Sequence, residues 1–184
     1  MNLYELIVFG ILSIPLVYFS KHVIFNIKSH GFYRFLGWEC IAWLLVGNYK
    51  FWFQEIFSPN QIISWIFLIY SLYLIIIGVD LIKKMGKSRE TRKDGTLYQF
   101  EKTTELIESG LYRYIRHPLY GSLIFLTWGV FFKHVTIPLL VITVLATVLF
   151  FITSKIEEKE NTAYFGEKYL QYIKRSKMFV PFII

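Results

Sequence analysis

The stretch Ser109 to Tyr120, SGLYRYIRHPLY, concentrates the side chains able to do chemistry. Arg113, Arg116 and His117 supply cations, Tyr112, Tyr114 and Tyr120 supply hydroxyls, and Gly110 supplies a turn. Pro118 has no backbone donor and a fixed φ, which suits the first turn of a helix. It also pushes His117 out of the α region. We therefore expect His117 at the N-cap, Arg116 in the non-helical approach, and Tyr120 one turn on, facing the same point as His117. The unpaired first-turn amides and the positive helix end face that point too, which makes it suited to an anion. A second group lies downstream: the pair Glu157 and Glu158, followed by Tyr164, Tyr169 and Tyr172.

Elements that bring these groups together must first cross a membrane. Hydrophobic residues are 55% of the 184 and aromatics 20%, with a mean hydropathy of +0.46, well above soluble usage. The length fits one domain, 1–184, with three N-terminal spans in 1–83 and a cofactor-binding and catalytic half in 84–184. Five spans are expected: Leu3 to Phe25 with a possible kink at Pro15, Phe35 to Phe57 containing Glu39, Ile56 or Ile62 to Val79, Pro118 to Phe132, and Val135 to Ser154. The fourth is short and needs tilt or its polar approach to make up length. Lys133 and His134 form the hairpin between the last two. From Lys155 to Tyr172 we read a charged helix re-angled near Gly166, and Phe179 to Ile184 as an apolar tail that docks on the membrane or core. The segment from Lys83 to Glu108 is polar, with Tyr98 to Ile107 either extended or a short interfacial helix. The fold class is thus all-α and polytopic.

Charge orients the spans. The segments after spans one, three and five hold three, nine and six of the 20 Lys and Arg, leaving only Lys50 and Lys133 opposite. The positive-inside rule puts the N-terminus outside and both polar groups at the cytoplasmic face. In a chain this apolar, the net charge of +7 reflects topology and lipid headgroups, so we expect a bilayer partner and no nucleic acid. The N-terminus lacks a cationic leader and a small-residue cleavage site, so the first apolar run is expected to be retained. One cysteine, Cys40, excludes an internal disulfide, and His22, His30 and His134 form no metal spacing.

The string LIESGLYRYIRHPLY, then EEKENTAYFGEKYLQY and a closing FVPF, resembles the isoprenylcysteine carboxyl methyltransferase family, itself related to the phospholipid N-methyltransferases. The shared pattern runs through Gly110, Tyr112, Arg116 to Tyr120, Glu157-Glu158, Phe165-Gly166, Tyr169, Tyr172 and Pro181. The likeness implies S-adenosyl-L-methionine as cofactor, in a site lined by Thr104, Glu105, Leu106, Ile107, Gly110, Tyr112, His117, Pro118, Leu119, Tyr120 and Glu157. The residue types suit it: His117, Tyr120 and backbone donors for the carboxylate, Glu157 for the ammonium or ribose hydroxyls, and Leu106, Ile107 and Tyr112 as an apolar wall for adenine. Arg116 and Glu158 are the candidate catalytic pair. A carboxylate nucleophile needs only a cation to orient it, whereas an amine must lose a proton, which a glutamate such as Glu158 can accept.

Two departures bear on the acceptor. Gly121 directly follows Tyr120, where the family has its glycine one place later. Thr153 stands where carboxyl methyltransferases carry the arginine that meets the substrate carboxylate, with Lys155 the nearest cation. The expected activity is methyl transfer to a lipophilic acceptor, a prenylated carboxylate first, with a phospholipid amine or a small thiol as alternatives. A nicotinamide-dependent membrane reductase and a non-enzymatic scaffold are the rivals; no Gly-rich dinucleotide turn supports the former.

Overall fold

The computed structural model describes residues 2–86 and 103–182. Six α-helices carry the fold: α1 Leu3–Ser20, α2 His30–Asn48, α3 Pro59–Met85, α4 Pro118–Phe131, α5 Ile137–Phe165 and α6 Glu167–Arg175. A 3₁₀ turn at Tyr49–Phe51 follows α2, and another at Gly110–Arg113 precedes α4. Local chemistry sets the boundaries. Asn2 and Glu5 form a reciprocal capping box on α1. Prolines occupy the first turns of α3, α4 and α5. Gly166, at φ +61°, lets α5 stop and α6 leave at a new angle. The helix boundaries of α3 to α5 follow the sequence reading closely, but α5 continues through the charged residues to Phe165 rather than ending near Ser154. The second helix begins five residues earlier than its apolar run and ends at Asn48, because Ser29 caps Gly31 and a 3₁₀ turn takes over at Tyr49.

Among the described residues α1, α3 and α5 are each long and apolar enough to cross a membrane. α2 contains Arg34 and Glu39, and α4 is shorter, at 14 residues. α3 and α4 run antiparallel: Ile82, late in α3, clusters with Leu119, early in α4, whereas Gln61, early in α3, meets Lys133 just past α4. α4 thus returns the chain along α3 to the opposite end of the bundle, where α5 begins. The result is an all-helical polytopic membrane protein.

Small residues let these helices approach. A Cβ on Gly129 would meet Leu68 at 2.9 Å, and one on Gly37 would meet the Phe150 ring at 2.6 Å, so α3–α4 and α2–α5 pack nearly backbone to side chain. Ser64 donates to the Gly129 carbonyl and Ser71 to the Ser122 carbonyl, both at 2.7 Å, satisfying buried hydroxyls across α3 and α4. At the far end Lys133 lies 3.6 Å over the Trp65 ring and donates to Gln61 Oε1 at 3.0 Å, and His134 stacks on Phe51 at 3.8 Å.

After α6 the chain returns under α4. Ile115 and Lys177 form an isolated parallel bridge, with the Arg116 amide donating to Lys177, the His117 amide to Met178, and the Lys177 amide to Tyr114. Met178 and Phe179 are buried with Tyr120, Phe150, Ile41 and Ala146. The chain thus docks on the core through Met178 and Phe179, whereas Phe182 is exposed. A Cβ on Gly121 would sit 3.5 Å from the Phe179 carbonyl, an ordinary contact distance, so the returning tail packs closely on this face of α4.

Candidate active site

His117 is the N-cap of α4, with φ −123° and ψ 62°, and Pro118 opens the helix as its spacing demands. One turn on, Tyr120 places its ring 5.8 Å from the His117 ring. α5 brings Glu157 to the same place, where the Tyr120 hydroxyl donates to its carboxylate and Asn161 Nδ2 lies 3.4 Å from Oε1. The two polar groups of the sequence, separated by a helical hairpin, thus meet around one cavity of about 680 Å³, counting its open mouth.

The cavity walls come from five places in the chain. Ile82 closes the α3 side. Thr103, Leu106 and Ile107 form a strip ahead of the 3₁₀ turn, which adds Tyr112. Arg116, His117, Pro118, Leu119 and Tyr120 line the opening of α4. Glu157, Asn161 and Phe165 project from successive turns of α5, and Tyr169 and Tyr172 complete the wall from α6. Phe165 and Tyr169 stack at 6.3 Å with planes 20° apart, giving the cavity an extended aromatic face. Burial pushes both the Tyr169 and Tyr172 hydroxyls well above the ordinary tyrosine range, so both stay protonated donors. Tyr172 donates to the Tyr112 carbonyl at 2.6 Å, locking α6 to the turn before α4.

Of the residues singled out from sequence, Leu106, Ile107, Tyr112, Arg116, His117, Pro118, Leu119, Tyr120 and Glu157 stand at the cavity wall. Thr104, Glu105, Gly110 and Glu158 do not. Gly110, at φ +57°, turns the backbone against Leu81, a conformation and a space that exclude a side chain. Glu158 lies behind the wall, 6% exposed, with Oε1 accepting from Arg116 Nε at 2.7 Å and Oε2 paired with Lys155 at 3.0 Å. Arg116 in turn gives Nη1 to the carbonyls of Ile173 and Ser176. This pair is occupied in fastening α5, the α4 approach and the chain after α6. Thr153 is fully buried and donates back to the Leu149 carbonyl at 2.8 Å, so it presents no cation.

His117 Nε2 is buried, makes no hydrogen bond of ordinary length, and faces Glu158 Oε1 at 3.6 Å, within ion-pair range. Ile82, Thr103, Asn161, Phe165, Tyr169 and Tyr172 were not assigned to the site from sequence. For Phe165, Tyr169 and Tyr172 the signal was an i, i+4, i+7 aromatic spacing across Gly166; Ile82 and Thr103 offered none.

Fold and site together define a helical membrane protein with a polar, aromatic-walled pocket at one end of its bundle. The chain belongs to the phospholipid methyltransferase family, whose sequence pattern matches residues 62–168. It is similar to the methanethiol S-methyltransferase of Crocosphaera subtropica, 35% identical over 72 residues that are 39% of this chain and 28% of that protein. The methanethiol S-methyltransferase of Pseudomonas deceptionensis is 34% identical over 71 residues, 39% of this chain and 26% of its own. The matched stretch thus spans little more than a quarter of these curated relatives. No solved structure matches the chain significantly.

Proposed function

We propose that this protein is a membrane methyltransferase that binds S-adenosyl-L-methionine in the cavity between α4 and α5 and methylates a small lipophilic thiol. The observation that carries the cofactor is the convergence of the buried His117, the N-cap of α4, with the Glu157 carboxylate on one cavity. His117 and the first-turn amides of α4 suit the cofactor's carboxylate. Glu157 suits its ammonium or ribose hydroxyls. Leu106, Ile107 and Tyr112 offer adenine an apolar wall, and the Phe165–Tyr169 face suits a cationic centre. When bound, the cofactor supplies an electrophilic methyl group on a sulfonium. The chain's part is to align the acceptor with that group and to exclude water.

Acceptor class follows from which charges remain available. A carboxylate acceptor would need a cation, yet Arg116 is committed to Glu158 and two carbonyls, and Thr153 offers none. An amine acceptor would need a base, yet both Glu158 oxygens are taken. A thiol needs no orienting cation, and once its proton is lost to water the thiolate is a strong nucleophile. The methanethiol S-methyltransferase relatives support the same reading over the prenylated carboxylate expected first. The positive-inside bias supports a cytoplasmic site, and the apolar flanks support entry from the bilayer.

Calorimetry of the purified protein in detergent tests the cofactor. Binding of S-adenosyl-L-methionine that weakens at least about tenfold in His117→Ala and Glu157→Gln is expected, from the loss of a charge-assisted bond. No binding by the wild type overturns the reading. Methyl-labelled cofactor with prenylcysteines, aminolipids and hydrophobic thiols tests the acceptor; transfer to prenylcysteine or aminolipid but not thiol overturns that part.

A further inference from the structure

Along α5, Glu157, Asn161 and Phe165 follow one another at single-turn intervals, and all three line the cavity. Asn161 is half-buried there, and its Nδ2 donates to Glu157 Oε1 at 3.4 Å, a long hydrogen bond. Tyr120 of α4 lines the same cavity beside that carboxylate. Glu157 thus has one donor from its own helix and a hydroxyl from the helix opposite.

The carboxamide does little for α5 as a helix. A polar i, i+4 pair adds only slightly to helix stability, and asparagine is a poorer helix former than leucine. Nor does this stripe of the wall demand a polar group, since Phe165 fills the next turn with an aromatic ring. What the carboxamide does change is the freedom of Glu157. A glutamate has three rotatable side-chain bonds, and a ligand that must first still a loose carboxylate loses affinity to that ordering. A donor one turn away fixes the carboxylate before any ligand arrives. Because both groups belong to α5, the tie does not depend on how α4 packs.

We propose that Asn161 is a positioning residue for the cofactor, its carboxamide holding the Glu157 carboxylate toward the cavity. This rests on the reading of the cavity as an S-adenosyl-L-methionine site. It adds to that site a residue that the sequence pattern leaves unassigned.

The test is calorimetry of the full chain in detergent with S-adenosyl-L-methionine as probe, alongside thermal melts of the ligand-free protein. Wild type that does not bind sinks the cofactor reading before this one is reached. Given wild-type binding, Asn161→Leu is expected to weaken affinity about fivefold, what one hydrogen bond of ordinary net strength controls. Its ligand-free melting temperature should stay at or above the wild-type value. In a Glu157→Gln background, whose neutral amide accepts more weakly, the same substitution should cost about twofold or less. Wild-type affinity in Asn161→Leu overturns the proposal. An equal loss in both backgrounds overturns it as well, because Asn161 would then act without Glu157. So does a loss of affinity that comes with a matching fall in melting temperature, the mark of a purely structural role. Should Asn161→Leu fail to fold, Asn161→Ala, which adds no bulk to the wall, decides in the same way.

Discussion

The Tyr172 hydroxyl donates to the Tyr112 carbonyl at 2.6 Å, joining two walls of the cavity that lie 60 residues apart. The bond is buried, and it is the direct tie between α6 and the turn that leads into α4. Tyr172→Phe removes it while keeping the ring. We expect a loss of about 1 kcal/mol in stability, the usual size for a buried neutral hydrogen bond, and weaker cofactor binding as the walls part. Thermal melts and calorimetry on the same preparation check both effects.

Alkaline pH should report the same tyrosines. Tyr169 and Tyr172 are each 2% exposed, and burial, the largest cause, raises their hydroxyls above the ordinary value of 10.0. The folded state therefore keeps protons that the unfolded chain has lost above that pH. Stability is fully present below about pH 10 and falls as pH rises further. Melting temperature in detergent should drop across that range, with a shallower slope in Tyr172→Phe. An unchanged slope would mean that residue 172 does not contribute.

Arg116 and Glu158 are 7% and 8% exposed as side chains and 2.7 Å apart. Arg116→Ala leaves a buried carboxylate short of its main partner and two carbonyls without a donor. A loss of about 3 kcal/mol or more is expected, with a smaller loss for Arg116→Lys, which cannot reproduce the fork. Denaturation of the two variants side by side measures the difference. Equal losses would argue that charge alone matters.

Gly37→Ala puts a methyl group 2.6 Å from the Phe150 ring, which forces α2 and α5 apart. Overpacking of this kind costs about 1–3 kcal/mol. Gly10→Ala, where nothing lies within 4 Å, is the control and should melt no earlier than wild type.

Lys133 sits at the far end of the bundle, over Trp65 and bonded to Gln61. Lys133→Met should lower stability by about 1–3 kcal/mol through the lost bond and cation–ring contact, yet leave cofactor affinity at the wild-type value. A fall in affinity would show that the two ends are coupled.

Sequence reasoning placed His117 at its cap because proline chemistry acts between neighbours, and it paired Glu157 with Tyr120 because the charge pattern returned α5 to the same face. It failed where partners are set by tertiary packing. His30 was weighed only as a metal ligand and set aside, since nothing local signals a carboxylate 130 residues away. Ile82 and Thr103 joined the cavity through the crossing of α3 against the α4 approach, which no periodicity encodes. Glu158 was read as chemically active because it adjoins Glu157, but a one-residue step rotates a helical side chain by about 100°, which carried it from the cavity into the Arg116 pair. Asp94-Gly95, whose residue types signal a turn, and the stretch from Tyr98 to residue 102 lie outside the described residues.

The bridge between Ile115 and Lys177 also imposes an order on biosynthesis. The approach to His117 leaves the ribosome long before the residues that pair with it. Through insertion of α4 and α5 the amides of Arg116 and His117 must wait, hydrated at the membrane surface, for Lys177 and Met178 to be translated. The last of the pocket wall is Tyr169 and Tyr172 of α6, so the pocket is complete only once the chain through α6 has been made.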